Sequence, residues 1–196
     1  MLELLGALSA SAAAGMRVAL PLLIIGLLHS DYLWSKIPLL SHIHPSLLIG
    51  ILTSWSLFEL FASKKLIGQR ILQVVQLFLS PIVGAIMGIA IAQFTGAPVP
   101  VVWIIGIVGS LLALVLQLVQ VGWFFRLRGL PLWLVFLEDF LCVALVLFAF
   151  DAPQQGGLIA LLLLWLAIRS SKQWYSWYMK QTHSRRRRRL RRQNLD

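Results

Sequence analysis

Apolar residues in this chain come in long unbroken runs, and polar residues and helix breakers collect in the gaps between them. Six runs stand out, at roughly 4–28, 46–63, 72–93, 99–122, 130–150 and 157–178. Each meets or approaches the roughly 20 apolar residues that a helix needs to cross a bilayer. None alternates polar with apolar at period two, which excludes spanning strands. The gaps hold Pro38 and Pro45, then Gly68, then Gly96, Pro98 and Pro100, then Gly129 and Pro131, then Pro153, Gly156 and Gly157. Turn formers in those places predict short connections. The second run is short if it stops at Ser63, and the first carries Arg17 and Pro21 among many Ala, Ser and Gly. That first helix is expected to be kinked or broken. The pattern predicts an all-α, polytopic membrane bundle of about six transmembrane helices over residues 1–180, followed by an Arg-rich tail at 181–196.

Composition agrees with the pattern. Hydrophobic residues make up 59% of the 196 and charged ones 12%, against about 45–50% and about 25% in soluble domains, so a water-soluble globule is excluded. The distribution of the +10 net charge adds an orientation. Lys64, Lys65 and Arg70 follow the second run, and Arg126 and Arg128 follow the fourth. Arg169, Lys172, Lys180, Arg185 to Arg189, Arg191 and Arg192 close the chain. Only Lys36 falls on the opposite side, and Arg17 lies inside the first run. The positive-inside rule then predicts an even number of spans with both termini in the cytoplasm. The small residues Ser9 to Ala12 look cleavable, but Glu3 stands where a signal peptide carries a cation, and the apolar stretch before them is too short. The first helix is therefore expected to stay. Cys142, the single cysteine, excludes an intramolecular disulfide and a C-x-x-C site.

Ionisable groups inside hydrocarbon are costly and mark functional candidates. Arg17, Glu59, Glu138 and Asp139 are the ones here. Arg17, counted from a cytoplasmic N-terminus, is expected roughly 20 Å deep by helical rise. It suits a fork onto a carboxylate, Glu138 or Asp139. A structural ion pair and a solute or proton site both fit, although two adjacent acids exceed what one Arg neutralises. Gln69, Gln73, Gln76 and Ser80 recur at helical spacing on one face, and Gln117 and Gln120 share another. With Glu59 they make a polar patch, which serves either as interhelical hydrogen bonds or as a cytoplasm-facing vestibule leading to the acids. Pro21 and Pro81 are candidate helix breaks, of the kind that frees backbone carbonyls in transporters. Gly84-x-x-x-Gly88 and the Gly106, Gly109, Ser110, Ala113 set predict close helix packing.

Several of these residues carry a resemblance. Ala14-Gly15-Met16-Arg17 followed by Leu20-Pro21-Leu22-Leu23, Glu59-Leu60 closing the second run, Gln76 with Pro81 and Gly84, and the Glu138-Asp139 pair resemble the pattern of an uncharacterised "domain of unknown function" family. Its members are small bacterial and cyanobacterial polytopic membrane proteins. The resemblance covers most of residues 1–165. It departs at Ser63, where the family pattern has Asp, and no Pro follows Lys64. What it implies is the architecture and a location in a bacterial inner or thylakoid membrane, not an activity.

Other chemistry is poorly represented. No G-x-S-x-G, H-E-x-x-H or phosphate loop is present, so no enzyme and no cofactor is expected. His29, Asp31, His42 and His44 fall in one gap and read as solvated loop residues rather than a metal site. Trp174, Tyr175, Trp177 and Tyr178 form an interfacial belt ahead of Arg185, Arg186, Arg187, Arg188, Arg189, Arg191 and Arg192. That tail fits anionic lipid headgroups or a protein partner. Nucleic acid is disfavoured, because the neighbouring aromatics are committed to the membrane. Two functions follow: an ion- or small-solute-translocating channel or transporter, or a non-catalytic scaffold, accessory subunit or assembly factor, as a homo-oligomer or within a larger membrane complex.

Overall fold

The computed structural model describes residues 2–28, 45–62, 66–127 and 132–171. Those residues are helical with short connections, and no strand occurs among them. The helices are α1 (Leu2–Met16), α2 (Ala19–Leu28), α3 (Pro45–Ala62), α4 (Leu66–Phe94), α5 (Val99–Leu127), α6 (Leu132–Asp151) and α7 (153–171). Among the described residues, three stretches are long and apolar enough to cross a membrane: Gly68–Phe94, Val99–Phe124 and Trp133–Asp151. Their outward faces carry exposed Phe78, Trp103, Ile107, Phe136 and Phe140. Water would reject such a surface and hydrocarbon accepts it.

The first apolar run is interrupted, as expected, but the break lies four residues ahead of the proline. Arg17 N–H still bonds the Ala13 carbonyl at 3.0 Å, and helical structure then stops until Ala19. Pro21 has no N–H to give to the Arg17 carbonyl, so the ladder cannot continue past it. Pro21 itself sits in the first turn of α2, where a missing donor costs nothing. Pro81 lies inside α4, which is helical from Leu66 to Phe94. The α4–α5 turn closes on Gly96 at φ +77. Gly96 N–H bonds the Gln93 carbonyl at 3.1 Å, and Ala97 N–H bonds that of Ala92 at 3.0 Å. This left-handed cap ends α4, and Pro98 and Pro100 start α5. A single non-helical residue, Ala152, separates α6 from α7.

Helix α1 occupies the centre, packed against α4, α5 and α6. Its Ala10, Ala12, Ala13 and Ala14 are wholly buried, and its Gly and Ser let the neighbouring backbones approach. A Cβ on Gly15 would stand 2.9 Å from the Ala113 carbonyl oxygen, and one on Gly84 would stand 2.8 Å from that of Gly109. Ser9 donates to the Leu145 carbonyl at 2.6 Å and Ser11 to that of Gly84 at 2.9 Å. Cys142 reaches the Ala13 carbonyl at 3.5 Å. The small residues that resemble a cleavage site thus form the bundle's inner seam.

These contacts set the direction of α1, and they correct the expected topology. Gly6 lies beside Ala149 and Pro153, Ser9 beside Leu145, Ala13 beside Cys142, and Arg17 beside Asp139. Helix α1 therefore runs antiparallel to α6, starting at the end where α4 and α6 finish. Residue 170 lies at the other end, where Trp123 Nε1–H donates to Ser170 Oγ at 2.7 Å. The beginning of α1 and the end of α7 sit at opposite ends of the bundle, so the expectation of both termini on one side does not hold for the described helices. At 15 residues, about 22 Å by helical rise, α1 is also too short to cross. Arg17 is that far from the end opposite to the one assumed.

Candidate functional site

The polar residues converge where α1 stops. Arg17, the first residue past the helix, is 5% exposed, and its Nε lies 2.7 Å from Asp139 Oδ1. Of the two acids proposed for this pairing, the fold selects Asp139. Successive residues on a helix point about 100° apart, so Asp139 faces α1 while Glu138 faces α5. There Gln120 Nε2 donates to Glu138 Oε1 at 2.9 Å. One acid has a cationic partner and the other a neutral one.

A partly open cavity of about 30 Å³ lies beside these groups, lined by Arg17, Gln69, Leu72, Gln73, Gln76, Gln117, Gln120, Val135 and Glu138. The glutamine face of α4 and the glutamine pair of α5 meet across it. At about 10–15 Å³ per water in this measure, it has room for roughly two. Its lining includes residues near the first turn of α4 and of α6, hence the end of the bundle that also holds Arg70 and Arg169. Leu72 and Val135 are its apolar walls, and only their position one turn from a lining Gln or Glu could have singled them out.

The glutamines differ in how they are satisfied. Gln76 Nε2 donates to Glu59 Oε1 at 3.1 Å, and Trp55 Nε1–H donates to the same oxygen at 3.0 Å. Glu59 does not line the cavity. It sits behind Gln76, 2% exposed, and both donors hold it. Trp55 escaped the sequence reading, although its place four residues before Glu59 puts the two on one face of α3. Ser80, on the same α4 face, turns to the Ala14 carbonyl at 3.4 Å rather than to the cavity. Gln117, only 1% exposed, has neither amide atom hydrogen-bonded, and Gln73 Nε2 is likewise unpartnered. Buried amides left this way are costly.

Among the described residues, no group of three or more His, Cys, Asp and Glu is placed to hold a metal ion. His29, Asp31, His42 and His44, the aromatic residues from Trp174 to Tyr178, and Arg185 to Arg192 lie outside the described residues.

The family described as "Domain of unknown function (DUF4126)" matches residues 4–173. The chain belongs to that family. The match takes in nearly all of the seven described helices, the cavity, and Arg17, Glu59, Glu138 and Asp139. No curated protein and no solved structure matches the chain.

Proposed function

We propose that this DUF4126 protein is an integral membrane protein that admits a small solute or ion from the cytoplasm into the polar cavity between α4, α5 and α6, acting as a channel or transporter. The cavity itself carries this reading: a carboxylate and unpartnered amides face space large enough for water, at the point where the central helix ends. Arg70, Arg126 and Arg169 belong to the end of the bundle where the cavity lies, and the positive-inside rule assigns that end to the cytoplasm. Helix α1 then enters from the opposite face and stops part-way. Its Ala, Ser and Gly seam fills the outer half of the bundle, so passage requires α1 to move. Discontinuous helices that end at a mid-membrane polar site serve this purpose in many transporters.

Reconstituted protein in liposomes with a pH-sensitive dye tests the reading. A cation- or proton-coupled flux is expected, and Glu138→Gln should abolish it while circular dichroism shows an unchanged helical content. Absence of flux for protons and common cations, with stoichiometric co-purification of a larger membrane complex, would favour the scaffold function instead.

A further inference from the structure

We infer that the cavity is a binding site for a small monovalent alkali cation, held by the Glu138 carboxylate with the amide oxygens of Gln117 and Gln73. This rests on the translocation reading and names its substrate class. Charge comes first. Arg17 and Glu138 both line the cavity, and Asp139 holds the guanidinium at 2.7 Å, so the three groups together carry one negative charge more than they neutralise, and of the two acids Glu138 is the one on the cavity wall. An anion would face that carboxylate with Arg17 already engaged. A divalent ion asks for more carboxylate than one.

The oxygen donors are the second observation. Gln120 and Gln76 have committed their amide nitrogens, to Glu138 and to Glu59. Gln117 is 1% exposed with both amide atoms free, and the nitrogen end of Gln73 is free as well. The two ends of an amide are nearly equivalent in shape, so a bound cation decides which end faces it. Two Gln oxygens, the Glu138 carboxylate and one water make a hard-oxygen shell of the kind such ions take. The fit is also one of size, since about 30 Å³ accommodates a cation with a single retained water but not its full hydration shell. Binding would satisfy the amides that the protein leaves open.

The test uses the full chain in nanodiscs and ²²Na⁺ as the probe, with unlabelled K⁺ and choline as competitors. Saturable binding near one ion per chain is expected, displaced by alkali cations and not by choline. Glu138→Gln should weaken it at least tenfold. Gln117→Leu, which leaves every charge in place and removes only the unsatisfied amide, should also weaken it at least tenfold. Gln93→Leu, the same chemical change at the far end of α4, should leave it unaltered. Thermal unfolding gives an independent readout: NaCl should raise the midpoint above that in choline chloride for the parent and not for Gln117→Leu. Equal midpoints in both salts with no retained ²²Na⁺ would overturn the inference. Flux of another solute under those conditions would leave the translocation reading standing, whereas bound ²²Na⁺ without any flux would overturn that reading and keep the site.

Discussion

Replacing Arg17 by Met removes the guanidinium while keeping most of the stem, and it leaves Asp139 facing α1 without a counter-charge. The pair is close, at 2.7 Å, and its side chains are 6% and 16% exposed, so little water is available to take over the charge. Breaking a buried pair from one side costs about 3–5 kcal/mol. With about 2–4 °C per kcal/mol for a chain of this size, the midpoint should fall by about 6–20 °C. Asp139→Leu should cost a comparable amount, since it strands Arg17 instead. The double variant loses both charges and should recover much of either loss, with a coupling of about 2 kcal/mol or more in a double-mutant cycle. Denaturant titration in detergent micelles, followed by circular dichroism, measures all four corners. Additivity within about 0.5 kcal/mol would refute the pairing, as would stronger coupling of Arg17 to Glu138 than to Asp139.

Further outcomes follow from the same contacts. Gly84→Ala should destabilise by about 1–3 kcal/mol in the same titration, because its new Cβ meets the Gly109 carbonyl, while Gly50→Ala, with open space around it, should be neutral or slightly stabilising. Ser9→Ala and Ser11→Ala each remove one interhelical donor to a carbonyl and should cost only about 0.6 kcal/mol. Trp55→Phe takes away one of the two donors to Glu59 and should cost about 1–3 kcal/mol. Single cysteines at positions 2 and 97 should label from the same side of the membrane, and cysteines at 67 and 171 from the other. Cys142, wholly buried, should stay unlabelled in the folded parent.

Much of the fold was legible in the chain because it is set locally. A run such as Val99–Leu127 is apolar along most of its length, and in hydrocarbon its backbone can be satisfied only within a helix. The break near Pro21 was legible too, since a missing N–H acts four residues upstream whatever surrounds it. The glutamine face of α4 followed from 3.6-residue periodicity, and its meeting with Gln117, Gln120 and Glu138 gives that face its cavity. Pro81 lies inside α4, where it takes one donor from the ladder without ending the helix.

The direction of α1 was not legible. Charge counting reads loops, and α1 itself carries no Lys or Arg to count. The direction comes from where Ser9, Ser11 and Gly15 find close-packed carbonyls and backbone, a property of three other helices. The choice between Glu138 and Asp139 is of the same kind. Adjacent in sequence, they are chemically near-equivalent partners for Arg17, and only the packing of α6 against α1, with Gln120 of α5 in reach of Glu138, turns Asp139 to the cation and Glu138 to the cavity. Local chemistry placed these groups in the membrane, but pairing depends on distances of a few ångströms between separate helices, and only the assembled bundle sets those.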